Sequence, residues 1–169
     1  MIFLKTPLTD GDINQLSVGD VVSLSGYIFA GRDAVLPKIV KATKEGLLDN
    51  LGIELKGSVV FHTAVSPAGV GPTSSNKLEI EESIDPLSKA GVKMHLGKGR
   101  ISRATIQSLV ENNAVFAVIP PVTALLESLT SERHLVAYPE LGMEAFYRLE
   151  VHDYQVIIAA AKGESIYDK

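Results

Sequence analysis

The chain contains no cysteine, which excludes disulfides and any iron–sulfur or zinc–thiolate site built from its own residues. Its four histidines, His62, His95, His134 and His152, show no His-x-x-x-His or related ligand spacing. A metal would have to be held mainly by groups from elsewhere. No apolar run approaches the ~20 residues of a membrane span. No Lys/Arg-rich run marks a phosphate-tracking face, and a net charge of −4 opposes nucleic-acid binding. The Gly-Lys-Ser/Thr ending of a Walker loop is missing, and so is the Gly-x-Ser-x-Gly of a nucleophile elbow. Met1 to Thr9 is too short and too soon polar for a signal peptide. The expectation is a soluble, cytoplasmic protein with neither nucleic acid nor membrane as partner.

What is present suits one compact domain, 1–169, since the 169 residues are 46% hydrophobic. Asp20 to Ala30 reads as a strand, followed by Arg32-Asp33 and a helix with Leu36, Ile39 and Val40 on one face, closed by Gly46. Gly57–Thr63 reads as a second strand, Leu87–Ala90 as a short helix and Val92–Leu96 as a brief strand. Ser102 is placed to cap a helix reaching Asn112. Ala114–Ile119 reads as a buried strand, and Pro120-Pro121 opens a helix to about Leu129. Three strands are expected beyond it, Leu135–Tyr138, Glu144–Val151 and Tyr154–Ala161, with turns at Gly142 and at His152-Asp153. The expected class is α/β: a mixed sheet, with strand–loop–helix units followed by a β-rich tail.

Three strand-to-helix junctions carry charge: Gly31-Arg32-Asp33, Gly71 to Lys77 within the longer stretch Gly69 to Lys77, and Gly97-Lys98-Gly99. The middle one combines small residues, Pro72, the hydroxyls of Thr73, Ser74 and Ser75, and Lys77. Small residues let backbone N–H groups approach a ligand, and the hydroxyls and ammonium add donors, so the stretch reads as an anion-holding loop. If the junctions share one sheet edge, Arg32, Lys77 and Lys98 converge on a small polyanion, a phosphate ester or a dicarboxylate. Arg32 could grip a carboxylate with two parallel bonds, whereas the lysines act as point charges. Structural alternatives stand beside each reading. Asp33 can cap a helix with Arg32 solvated, Gly97-Lys98-Gly99 is a common turn, and Thr73-Ser74-Ser75 can be an N-cap. His62 reads as a core histidine, His95 as a possible neighbour of the Lys98 pocket, and His134 and His152 as peripheral.

Taken in order, these pieces resemble the β subunit, or the C-terminal domain in single-chain forms, of class I fumarases and L(+)-tartrate dehydratases. The matching stretches are Val18 to Gly26 running into Arg32-Asp33-Ala34, Gly71-Pro72-Thr73-Ser74, Gly97-Lys98-Gly99, and Glu140-Leu141-Gly142-Met143-Glu144-Ala145 with Leu149-Glu150-Val151. The resemblance covers nearly the whole chain and implies a swivelling β/β/α domain. It implies a cysteine-rich alpha subunit carrying a 4Fe-4S cluster, and reversible loss of water from a 2-hydroxy dicarboxylate. One iron of that cluster is implied to act as Lewis acid on the departing hydroxyl while a base takes the neighbouring proton. Carried over by position, Thr73 and Lys98 become catalytic, and Arg32, Asp33, Ser74 and Lys77 substrate-binding, with no metal ligand in this chain.

The sequence departs from that family at several points. Lys77-Leu78 stands where the family has Arg-Met, Ala34-Val35-Leu36 where it tends to Ala-Ala-His, and Pro120-Pro121-Val122-Thr123 where a Gly-Gly-Ala-Ala-type turn is usual. The expected function is a hydro-lyase subunit acting on malate and fumarate, inactive without its alpha partner, within a homo- or hetero-oligomer. An L(+)-tartrate dehydratase subunit and a non-catalytic carboxylate- or phosphate-binding module remain the alternatives.

Overall fold

The computed structural model describes residues 1–66, 69–73, 77–119 and 123–168, with side chains at all of these except 66, 69, 71–73, 77–80 and 123. In chain order the elements are β1 (Ile2–Lys5), α1 (Asp10–Asn14), β2 (Val21–Gly31), α2 (Leu36–Lys44), β3 (Val59–Ser66), β4 (Gly69–Thr73), α3 (Lys77–Lys89), β5 (Met94–Gly97), α4 (Arg103–Glu111), β6 (Val115–Val118), α5 (Thr123–Ser128), β7 (Thr130–Ala137), β8 (Phe146–Ala161) and β9 (Glu164–Ser165). Short 3-10 turns cover Asp49–Leu51 and Pro139–Glu144.

Strands β2, β3, β5 and β6 run parallel, and β8 runs antiparallel to both β6 and β2. The pairing therefore closes into a five-stranded ring, β2-β3-β5-β6-β8, with β1, β4, β7 and β9 added at its margins. Closure follows from the sequence pattern. Along each ring strand, apolar residues of one parity, among them Leu24, Val59, Phe61, Met94, Leu96 and Ala117, meet in a single interior core. Residues of the other parity face the helices. Phe29, Val60 and Phe146 pack with Leu36 and Ile39 of α2 and Leu87 of α3. Phe116, Ala159 and Ala160 pack with Ile84, Ile106 and Leu109. Both faces of the parallel strands are thus covered, which is why they read as near-continuous apolar runs. Each fully buried Leu, Ile or Phe contributes roughly 1.5–3 kcal/mol.

Helix α4 begins where the sequence places it: the Ser102 side chain accepts from the Thr105 N–H, and Glu81 accepts the Ser102 N–H. Four expectations need correction. The stretch opening at Gly69 is first a strand: β4 folds back on β3, pairing Thr63 with Thr73 and Val65 with Val70. The reason is that β3 overruns its sheet partners, and its backbone groups need a pairing strand. Helix α3 runs for 13 residues rather than a short Leu87–Ala90 segment. Pro86 inside it reads as a breaker, but burial of Ile84 and Leu87 on either side holds the helix together. Val35, not Asp33, precedes α2, and its side chain makes no cap bond.

The fourth correction concerns β8, one 16-residue strand where the sequence suggests two. His152-Asp153 is a bulge rather than a turn: pairing jumps from Gly26 with Val151 to Leu24 with Tyr154. Asp153 adopts φ +54, a conformation Asp tolerates better than bulkier residues. Its N–H donates to Ser25 Oγ at 2.9 Å, and its carboxylate accepts from Ser23 Oγ at 3.0 Å. The bulge bends β8 so that one strand can close the ring against both β2 and β6.

Candidate active site

Register brings the Arg32 and Lys98 junctions and the end of β4 to one edge. Gly31 pairs with His62, and Phe61 with Leu96, so His62 stands level with Gly97; Gly97 pairs with Val118. Arg32, Thr63 and Lys98 therefore each lie one residue beyond a common line at the carboxyl ends of the parallel strands. Thr63 brings Thr73 with it through the β3–β4 pairing. Neighbouring strands are about 4.8 Å apart, so the Arg32 and Lys98 backbones, two strands apart, are separated by roughly 10 Å. Two long cationic side chains at that distance can approach a small dianion from opposite sides.

Glycine precedes both cations for a packing reason. A Cβ on Gly31 would lie 2.8 Å from Val35 Cγ1, and one on Gly97 3.0 Å from Phe116 Cζ. The missing side chains let the outer core close up to the strand ends, so the next residue emerges at the edge.

Arg32 is half-buried. Among the described residues its buried Nε has no hydrogen-bond partner and lies 3.9 Å from Glu144 Oε1, which is likewise buried and unbonded there. That distance attracts but is too long for a hydrogen bond. Glu144 belongs to the last of the matching sequence stretches, and the fold brings it to the first. Asp33 is half-buried and partnered. Lys98 is exposed on a turn whose Gly99 has φ +80. Thr73 ends β4, Lys77 begins α3, and Ser74 lies outside the described residues.

Directly behind this edge, His62 and His95 are wholly buried. His62 Nε2 is 3.2 Å from His95 Nδ1, and His95 Nε2 is 2.9 Å from Ser88 Oγ of α3. Among the described residues His62 Nδ1 has no hydrogen-bond partner. Burial holds the His62 pKa down at about 4, and burial first, then the neighbouring His62, holds His95 well below the ordinary value. Both are neutral near pH 7. His62 is the core histidine the sequence suggests. His95 does not line a pocket with Lys98, because Ser88 and His62 enclose it. Glu144, Thr63 and the contact between His62 and His95 have no counterpart as site neighbours in the sequence reading, which sets only His95 near Lys98. The only signals were a Glu within a matched motif and two histidines each on an apolar strand.

A cavity of about 600 Å³ opens at the opposite end of the ring, lined by Pro7, Lys56, Gly57, Gly91 and Lys93 among others. None of the candidate residues lines it. The carboxyl edge is the better candidate, because there Arg32 and Lys98, the end of β4 and a guanidinium nitrogen without a hydrogen bond among the described residues lie on one side. Among the described residues no three His, Asp or Glu side chains are grouped to hold a metal, and no helix is long and apolar enough to cross a membrane.

The family model described as Fumarase C-terminus matches residues 1–169. The chain belongs to that family. It is 29% identical, over all of its own length and 92% of the relative's, to a Methanocaldococcus jannaschii protein provisionally named an L(+)-tartrate dehydratase subunit beta. Escherichia coli L(+)-tartrate dehydratase subunit beta is 26% identical over 93% of this chain and 81% of its own. Escherichia coli fumarate hydratase class I, anaerobic, is 29% identical over 98% of this chain but 32% of its own length. The chain thus spans most of the tartrate dehydratase subunits and about a third of the fumarate hydratase. Membership places it among the β-subunit-like parts of hydro-lyases, with the mixed α/β fold the sequence implies. The donors present do not fit a cysteine-ligated cluster, since the chain has no cysteine.

Proposed function

We propose that this chain is the β subunit of an iron–sulfur-dependent hydro-lyase that reversibly dehydrates a 2-hydroxy dicarboxylate, with malate and fumarate as the first pair to assay. The observation that carries the reading is the buried, unbonded Nε of Arg32, held at the carboxyl edge in the same register row as Lys98. A guanidinium with unused donors recognises a carboxylate better than any other common group. Arg32 grips one carboxylate and Lys98 faces the other as a point charge, with Lys77 and Ser74 adding donors and Asp33 orienting the Arg32 loop. In malate the C2 hydroxyl leaves and a proton leaves C3, giving fumarate and water. Thr73 is the candidate base. A neutral hydroxyl is a poor base near pH 7, so its proton loss needs to be favoured by cations, for which Lys98 and Lys77 are the candidates. The cluster belongs to a cysteine-rich alpha subunit.

Relatives named for tartrate and for fumarate match at similar identity, so L(+)-tartrate belongs in the same assay. The test is anaerobic co-expression with the cysteine-rich partner, followed by turnover of L-malate, fumarate and L(+)-tartrate. Turnover of at least one supports the proposal. An assembled, cluster-loaded complex that turns over none of them, while the chain alone binds a dicarboxylate, points instead to a carboxylate-binding module.

A further inference from the structure

We propose that the turn following β9 is a strap that positions the Lys98 loop, with Arg100 and Tyr167 as positioning residues. The inference rests on the reading of Lys98 as a substrate-binding group. Lys98 sits between Gly97 and Gly99, and its side chain is exposed. Glycine on both sides gives a backbone freedom that would have to be lost each time substrate binds. Something must fix this loop beforehand if Lys98 is to meet a dicarboxylate in one geometry.

The fold supplies a tie two residues on. Arg100 Nη2 donates to the Tyr167 carbonyl at 2.7 Å, and the Arg100 guanidinium lies over the Tyr167 ring, 5.7 Å from its centroid. The first is a short charge-assisted hydrogen bond, and the second is within cation–π range. Tyr167 is itself held. Its N–H donates to Ser165 Oγ at 3.2 Å, the Ile166 N–H donates to the Ala159 carbonyl of β8 at 2.8 Å, and the Asp168 N–H returns to the Ser165 carbonyl at 3.0 Å. The tie therefore connects the loop to the sheet rather than to a loose segment. Beyond it, Ser102 is fixed to Glu81 of α3.

A purely structural purpose would not need Arg100. Arg103 already binds the same turn to α4, through Asp168 Oδ2 at 3.2 Å and the Gly163 carbonyl at 3.0 Å. Arg100 adds a second attachment, made from the loop itself. Neither Arg100 nor Tyr167 belongs to the candidate site, so both act through Lys98.

The variants that separate these roles are Arg100→Ala, Arg100→Lys and Tyr167→Phe. Amide hydrogen exchange at Lys98 and Gly99 is followed in the full chain, and KM and kcat are measured in the partner complex. Arg100→Ala is expected to speed exchange about tenfold and to raise KM for the dicarboxylate about tenfold, the size of one charge-assisted hydrogen bond, with a smaller change in kcat. Tyr167→Phe keeps the ring and the carbonyl and is expected to match the wild type. Arg100→Lys keeps a donor and a cation and is expected to recover most of the loss. Exchange unchanged in Arg100→Ala would overturn the strap. So would an unchanged KM in a complex where Lys98→Ala does raise KM. If Lys98→Ala turns over substrate normally, the reading of Lys98 fails, and the exchange data still decide whether the strap exists.

Discussion

Arg32 Nε stands 3.9 Å from Glu144 Oε1, and among the described residues neither atom has a hydrogen bond. Arg32 thus faces a carboxylate without being consumed by it. At that distance attraction between unit charges is about 1 kcal/mol in water and several-fold larger near a protein surface. The attraction holds the guanidinium near one place without using up Nε in a hydrogen bond.

Replacing that guanidinium should cost binding rather than folding, because the side chain is only half-buried. Arg32→Ala is expected to raise KM for the dicarboxylate on the order of 100-fold, the loss typical of one hydrogen-bonded charge partner. Arg32→Lys keeps the charge, loses the fork, and is expected to fall between the two. Steady-state kinetics beside thermal unfolding checks this. Equal losses of KM and of thermal stability would contradict it.

Lys98 gives a cleaner case because it is exposed. Lys98→Ala is expected to leave unfolding within about 0.5 kcal/mol of the wild type and to leave assembly with the partner unchanged, while substrate binding is lost. Size-exclusion chromatography of the complex and isothermal titration with a dicarboxylate read the two effects separately.

The buried histidine pair predicts a pH dependence of stability. In the fold His62 takes up a proton only near pH 4, whereas an unfolded histidine does so near 6.5. Between those values the unfolded state binds more protons, so stability present above pH 6.5 falls as the pH drops and levels off, for His62, below about 4. That interval corresponds to roughly 3 kcal/mol for His62, and His95 adds loss in the same direction. Urea unfolding at pH 7, 6 and 5 measures the slope, and His62→Leu should flatten it.

Asp153 tests the ring closure. Asp153→Val places a β-branched residue at φ +54 and removes the bonds to Ser23 and Ser25. The expected cost is about 2–4 kcal/mol, from left-handed strain plus lost hydrogen bonds. Asp153→Gly relieves the strain and should cost less. Chemical denaturation of both variants gives the comparison.

Much of this was legible in the sequence where local pattern and tertiary packing agree. Strand β2, the buried β6 and helix α4 with its Ser102 cap follow from apolar spacing and a single capping residue. Pattern failed where long-range contacts decide. β4 is a Gly- and Pro-rich stretch whose strand character comes from β3. Helix α3 runs on through Pro86 because Ile84 and Leu87 are buried on either side of it. Asp153 looked like a turn because its local preference is that of a turn, and only the neighbours across the ring make it a bulge. At the site, the Arg32 and Lys98 loops could be read directly, since each shows a charge beside glycine. Glu144 reaches Arg32, and His62 reaches His95, only through sheet registers that no short window contains. The family resemblance implies roles for Arg32 and Lys98 but none for Glu144, His62 or His95, and register brings Arg32 and Lys98 to one edge.

The most direct measurement is kcat/KM for L-malate, fumarate and L(+)-tartrate in the anaerobically assembled complex, wild type beside Arg32→Ala. The account predicts turnover of at least one substrate by the wild type, and a loss of about two orders of magnitude in kcat/KM in the variant, matching one lost charge partner. A cluster-loaded complex inert toward all three, or an Arg32→Ala complex as active as the wild type, would contradict it.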